Sequence, residues 1–221
     1  ALLEKLWPND GEATLERLLI GWPLPDVLKA EQLAVGADVA NSKDGDRGSL
    51  ARGRGPILCS VESFACPDAN ALGRKIGIEA RERQIEGEYI GVDGVGVGSG
   101  TVNELLAQNI TAQNLIGGAS PVDFLTQLGE EKFKNLRAQM HWMMRMDLQF
   151  NNIILPDDDE LFQDLITPHY AAKDKVIEIE SKDKLKRRIG RSPDKGDAAV
   201  YWNWVRQVRG GTPGGGEMID F

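Results

Sequence analysis

Leu33-Ala-Val-Gly-Ala-Asp38-Val-Ala40 decides how this chain is read. The run is small and apolar almost without a break, the pattern of a central strand buried on both faces. Asp38 is its one misfit. A carboxylate buried there without a partner costs on the order of several kcal/mol. A cation, a metal ion or hydrogen bonds must compensate it.

Working outward, Asp44-Gly45-Asp46 supplies turn chemistry, and Gly48 to Arg54 and Ile57 to Phe64 read as two further strands joined through Gly53–Pro56. Tight turns between three successive strands predict an antiparallel meander. Asp68 opens a helix running to about Gln84, Tyr89 to Val92 is a buried strand, Gly98 to Gln108 a helix and Ala112 to Ile116 a fifth strand. The order β-β-β-α-β-α-β predicts an α/β fold. Its central mixed sheet has five or more strands: three antiparallel, then a parallel β-α-β-α-β unit. Glu130 to Leu148 follows as a longer helix, Pro156 to Ile166 as a short one, and Val176 to Ile179 as an edge strand. Ser181 to Ile189 and Pro193 to Val208 are the last helices.

Before the first strand, Asp10 is placed to cap a short helix carrying Leu15, Leu18 and Leu19, which Trp22-Pro23-Leu24-Pro25 ends. Residues 1–30 read as a linker or the remnant of a preceding domain, and the start at Ala1 as an excised fragment. Residues 31–209 form the main domain. Residues 210–221 contain five glycines and read as a flexible tail.

The 221 residues are 41% hydrophobic and 27% charged, which excludes wholesale disorder and collagen-like repeats. No apolar run approaches the roughly 18–20 residues a membrane span needs. Cys59 and Cys66 are too few to staple a fold of this size, so a reducing compartment is expected. With 26 Lys and Arg against 34 Asp and Glu the net charge is −8, on its face poor for a nucleic-acid binder. The charge is uneven, however. Ser-Lys-Asp-Lys-Leu-Lys-Arg-Arg-Ile-Gly-Arg, residues 181–191, sets six bases against one acid. On that helix Lys184, Arg187, Arg188 and Arg191 recur at spacings of three, four and seven, one face suited to phosphates or simply to water.

Asp93 repeats the oddity of Asp38. It ends Tyr-Ile-Gly-Val-Asp and enters the run Gly94-Val-Gly-Val-Gly-Ser-Gly100. If the two strands are parallel neighbours, both carboxylates face one crevice at the carboxyl edge of the sheet. The plainer alternative is a pair of strand-end aspartates bonded to loop amides. A third acid sits on the last helix, where Ser192 reads as the N-cap and Pro193 as the first turn. Counting from Asp197, Val200, Tyr201, Trp204, Val205 and Val208 make an apolar stripe, which puts Asp197 on the buried face. Asp194 lies above it on the same side, where a first-turn acid is favoured by the helix dipole whether or not it serves as a ligand. Convergent carboxylates without a zinc-spaced Cys/His cluster favour hard cations, Mg²⁺ or Mn²⁺. Two such ions about 3.5–4 Å apart activate a water and stabilise a leaving oxygen in phosphoryl transfer. Activity then falls as pH drops into the carboxylate range.

Other motifs fail. Gly-x-Gly-x-x-Gly breaks at Ser99, Thr101 or Asn103, and neither a phosphate-cradling Gly-x4-Gly-Lys-[Ser/Thr] loop nor a Gly-x-Ser-x-Gly elbow occurs. The glycines near Gly96 admit a close backbone approach or a turn with positive φ. Both cysteines, and Met140–Met146 with His141 and Trp142, read as packing residues.

Ser181 to Ala198, the Gly36-Ala-Asp-Val-Ala strand with Asp44-Gly-Asp-Arg47, and Ile90 to Gly100 together resemble the nuclease domain of tailed-bacteriophage large terminases, over about residues 31–209. The resemblance implies a ribonuclease H-like fold. It also implies a two-metal endonuclease that cuts concatemeric double-stranded viral DNA during packaging in the host cytoplasm. Asp38, Asp93 and Asp197 match the catalytic metal ligands, with Asp194 in reserve, and two Mg²⁺ or Mn²⁺ ions are the implied cofactors. Lys184, Arg187, Arg188 and Arg191 are then DNA contacts without base readout. Implied partners are an ATPase domain in the same polypeptide, the portal protein and the small terminase subunit. Gly196 departs from the expectation of alanine or another helix former. A junction resolvase or integrase of the same fold would share the acids, and a non-catalytic docking domain would use them structurally.

Overall fold

The computed structural model describes residues 32–39, 47–66, 68–122 and 131–208. The 1–30 segment, the turn at Asp44–Asp46 and the tail at 210–221 lie outside the described residues. The expected meander is β1 (Leu33–Asp38), β2 (Gly48–Arg54) and β3 (Ile57–Phe64). Helix α1 (Ala69–Arg83), capped by the Asp68 carboxylate, leads to β4 (Ile90–Asp93), and α2 (Gly98–Ala107) leads to β5 (Gln113–Leu115). The sheet order is β3-β2-β1-β4-β5, antiparallel on one side of β1 and parallel on the other. Strand β1 is therefore central, as its unbroken burial requires. Among the described residues no helix is long and apolar enough to cross a membrane.

The last helix, α6 (Asp194–Val205), lies across one face of this sheet. A methyl group on Gly36 of β1 would meet the Ala198 carbonyl oxygen at 2.1 Å and the Trp202 nitrogen at 2.2 Å. Only a residue without Cβ permits that approach. Gly53 of β2 faces Trp202, and Gly91 of β4 faces Val205, in the same way. The residue next to Gly53 points to the opposite face, where Arg52 binds Glu79 of α1 at 2.7 Å. The two-residue period of a strand then fixes the acids. Asp38 shares the face of Gly36, and Asp93 that of Gly91, so both look toward α6.

Helix α6 departs from the expected one-sided stripe. Every residue from Gly196 to Val205 is buried, because the sheet, α3 (Leu136–Gln149) and α4 (Asp159–Ile166) enclose it. Gly196 has its reason here. A methyl on it would come within 2.6 Å of the Asp164 Cβ, and its amide donates to Asp164 Oδ2 at 3.1 Å. Gly196→Ala should therefore destabilise by about 1–3 kcal/mol through overpacking. That outweighs the ~1 kcal/mol gain in helix propensity. A lower urea midpoint at unchanged slope checks it.

Three expectations are corrected. Helix α3 begins at Leu136, where Asn135 accepts the Ala138 amide at 3.0 Å, and not at Glu130; Lys132–Phe133 is instead a strand, β6. Val176–Ile179 is no edge strand. As β8 it is the middle of a second sheet, parallel to β6 and antiparallel to β7 (Tyr170–Lys173). The β7–β8 turn places Asp174 and Lys175 at φ 51° and 64°, a left-handed pair that glycine usually announces. Finally, Ser192 does not cap α6. Pro193 stands at the cap position without a side-chain bond, and Ser192 is buried before it. The cysteines behave as expected: both are free and buried, and burial pushes the Cys59 thiol up to about 12.

Candidate metal centre

Three stretches distant in sequence meet at the carboxyl edge of the sheet. Asp38 ends β1, Asp194 and Asp197 open α6, and Lys182 opens α5 (Lys182–Ile189). The Lys182 ammonium lies 2.9 and 3.0 Å from the two oxygens of Asp38, 3.0 Å from Asp197 Oδ2 and 3.9 Å from Asp194. One cation thus gathers three carboxylates, two of them, Asp38 and Asp197, only 1% exposed.

The far side of Asp197 is held by α3. Arg137 Nη1 donates to Asp197 Oδ1 at 2.8 Å, and His141 Nε2 lies 3.4 Å from the same oxygen. Burial alone would raise the Asp197 carboxyl, but Arg137, Lys182 and His141 together hold it well below the usual carboxylate range. Burial pushes Asp38 the other way, well above that range, against the pull of Lys182 and with help from the neighbouring Asp197 and Asp194 charges. Burial would also lower Lys182, but Asp38 and Asp197 outweigh it and keep the ammonium charged. Burial and the Arg137 charge lower His141, so its imidazole is neutral.

Asp93 is placed on the strand beside Asp38, with Ala37 paired to Val92 one residue earlier. Its carboxylate accepts the Val95 amide at 3.1 Å and the Tyr201 hydroxyl at 3.3 Å, so it is bound to a loop amide and to α6 rather than to Lys182. Burial, then the Asp197, Asp93 and Asp38 charges, raise the Tyr201 phenol well above its ordinary value, so it stays a donor.

The basic face divides in two. Arg188 binds Glu180 at 2.6 Å and the Thr167 carbonyl at 2.7 Å, and Arg191 reaches Asp164 at 2.5 Å. Lys184 and Arg187 are exposed. Burial pushes the Asp164 carboxyl up to about 6, against the Gly196 amide and Arg191. Between roughly pH 4 and 6 the folded state therefore holds a proton the unfolded chain has released, and this group's contribution to stability falls as pH rises through that window. Melting at pH 5 and pH 7 should show that trend in the parent and not in Asp164→Asn.

Lys182, Arg137, His141 and Tyr201 are the residues that sequence reading missed. Lys182 precedes by three Leu185, the buried residue of α5, so helical spacing alone puts it on the inner face. Arg137 and His141 each stand three residues before a buried methionine, Met140 and Met144, beside the core side of α3.

Oxygen donors on a single cation are the donor set of a hard metal ion. Asp197 Oδ2 is buried and makes no aligned hydrogen bond, only its ion pair with Lys182. The residues fit such an ion. The Lys182 ammonium fills the space between them, and among the described residues no group of three or more His, Cys, Asp or Glu side chains is arranged to hold a metal ion.

No family model and no curated protein matches this chain. Solved structures do. The nuclease domain of the large terminase subunit gp2 of bacterial virus Sf6 superposes with a TM-score of 0.68 at 20% identity, covering 86% of this chain and 94% of that one. A variant of the same domain solved with manganese gives 0.65 at 19%, over 86% and 94%. The large terminase nuclease from thermophilic phage G20c, solved with bound magnesium, gives 0.53 at 13%, over 80% and 81%. The chain thus has the ribonuclease H-like fold of the nuclease domains of phage large terminases.

Proposed function

We propose that this chain is a divalent-metal-dependent endonuclease that cuts concatemeric double-stranded viral DNA during genome packaging. The observation that carries the reading is the convergence of Asp38, Asp194 and Asp197 on one cation, with Asp93 on the adjacent strand end. Manganese in the Sf6 nuclease structure and magnesium in the G20c one support it. Asp38 and Asp197 would hold the ions, with Asp93 and Asp194 completing the acidic rim. When bound, two Mg²⁺ or Mn²⁺ ions supply Lewis acidity, activating water and neutralising charge on the phosphodiester.

The chain's own residues do the rest. Buried walls keep the carboxylates ordered, and Tyr201 holds Asp93 on the α6 side. Exposed Lys184 and Arg187 steady the DNA backbone without reading bases. Arg188 and Arg191 join them by exchanging their acid partners for phosphate. Removing Lys184 and Arg187 together should lower the slope of log affinity against log salt by about 2, since each lost phosphate contact removes about 1. Filter binding across a salt series measures it. An ATPase domain of the same polypeptide, a portal protein and a small terminase subunit are the expected partners, in the cytoplasm of an infected host.

Lys182 competes with metal for the same oxygens. Lys182→Ala should tighten Mn²⁺ binding roughly tenfold by removing a unit charge from their midst. The deciding experiment is plasmid cutting with Mn²⁺, with EDTA, and with Asp38→Asn, beside a four-way junction. Cutting that persists in EDTA would sink the metal reading. Preference for the junction would favour a resolvase.

A further inference from the structure

Asp38 and Asp197 meet the same ammonium differently. Asp38 turns both oxygens to Lys182, at 2.9 and 3.0 Å, whereas Asp197 offers it only Oδ2. The other oxygen of Asp197 is taken from behind. Arg137 and His141 stand four apart on α3, one above the other on its inner face; Arg137 Nη1 donates to Oδ1 at 2.8 Å, and His141 Nε2, buried and making no aligned hydrogen bond, lies 3.4 Å from the same oxygen. Their side chains are only 13% and 10% exposed, so neither is placed to touch DNA.

The platform that carries them is fixed at both ends. At the start of α3 the Leu136 and Arg137 amides donate to the Ala119 and Gly117 carbonyls at 2.8 and 2.9 Å. At its far end Asp147 accepts from Asn203 at 2.8 Å and from Arg206 at 3.1 Å, which ties α3 to the end of α6. Helices α3 and α6 are thereby joined at two places, through Arg137 and Asp197 in the first turn of α6 and through Asp147 at its far end.

We propose that Arg137 and His141 are positioning residues that hold one oxygen of Asp197 and present the other, alone, to a divalent metal ion. The inference rests on the metal-dependent reading above and deepens it: Asp38 is the ligand that turns both oxygens to the cation site, Asp197 the ligand that turns one. Groups behind a metal ligand typically contribute 10–100-fold in metal affinity. They act here with a sign opposite to their charge. Lys182 and Arg137 are both cations on Asp197, yet removing Lys182 empties the ion's place, while removing Arg137 lets the ligand turn away.

The test is calorimetric titration of Mn²⁺ into the intact chain, with thermal melting alongside. Arg137→Met and His141→Leu should each weaken Mn²⁺ binding about tenfold or more, Lys182→Ala should tighten it, and His141→Gln, which keeps a donor near Nε2, should recover most of the loss. Arg137→Lys keeps the charge but replaces the Nη1 donor with an ammonium on a shorter stem. It should weaken binding several-fold and stands in if Arg137→Met does not melt cooperatively. Unchanged affinity in Arg137→Lys and His141→Leu, or tighter binding in Arg137→Met as in Lys182→Ala, would overturn the positioning role. A parent chain that takes up no Mn²⁺ would instead overturn the metal reading itself, and the two failures are distinct.

Discussion

Asp38→Asn leaves a folded protein whose plasmid cutting in Mn²⁺ is lower by about a thousandfold or more. The residue is 1% exposed, and both its oxygens face the cation site. Asparagine keeps the shape and one acceptor but gives up the charge a metal ion requires. The fold survives because Lys182 keeps Asp197 at 3.0 Å and is itself one third exposed. Burial also disfavours the ionised Asp38 carboxylate, so its removal relieves a cost. Circular dichroism and melting should match the parent within a few degrees. A variant that cuts as fast as the parent would remove Asp38 from the reaction.

Gly36→Ala is the counterpart that strikes the fold, with an expected loss of about 3 kcal/mol or more. The added methyl would fall 2.1 Å from the Ala198 oxygen and 2.2 Å from the Trp202 nitrogen, both backbone atoms of a helix enclosed on every side. Nothing flexible is available to give way. Either α6 lifts from β1, separating Asp197 from Asp38, or the strand bends. Urea unfolding should show a large drop in midpoint, with metal binding lost in parallel. Gly118→Ala is the control, since a methyl there meets nothing within 4 Å, and its stability should hold or rise slightly.

How much was legible follows from which physical signal each residue carries. The five-stranded sheet was readable because β1 and β4 are apolar runs and turn chemistry punctuates the strands around them. The acids were readable because burial makes a lone carboxylate conspicuous. Lys182 was hidden by its neighbours: in a helix of bases, the one pointing inward is marked only by its distance from Leu185. Arg137 drew no reading and His141 was read with Met140–Met146 as packing, because a core-facing stripe of methionines looks the same whether or not a carboxylate lies across from it. The second sheet was missed because the Asp174–Lys175 turn adopts its left-handed conformation without glycine. Gly196 looked like a weak helix former until Asp164 appeared against it.

The alternation of faces along β1 has a consequence for how this chain tolerates change in length. Gly36 and Asp38 stand two apart and so look the same way. Inserting or deleting a single residue between them would send the carboxylate to the opposite side, toward α1, while the helix stayed seated in its groove. A one-codon indel there would remove the carboxylate from the crevice as completely as Asp38→Asn removes its charge. Drift in this segment is confined to replacements and to paired gains or losses.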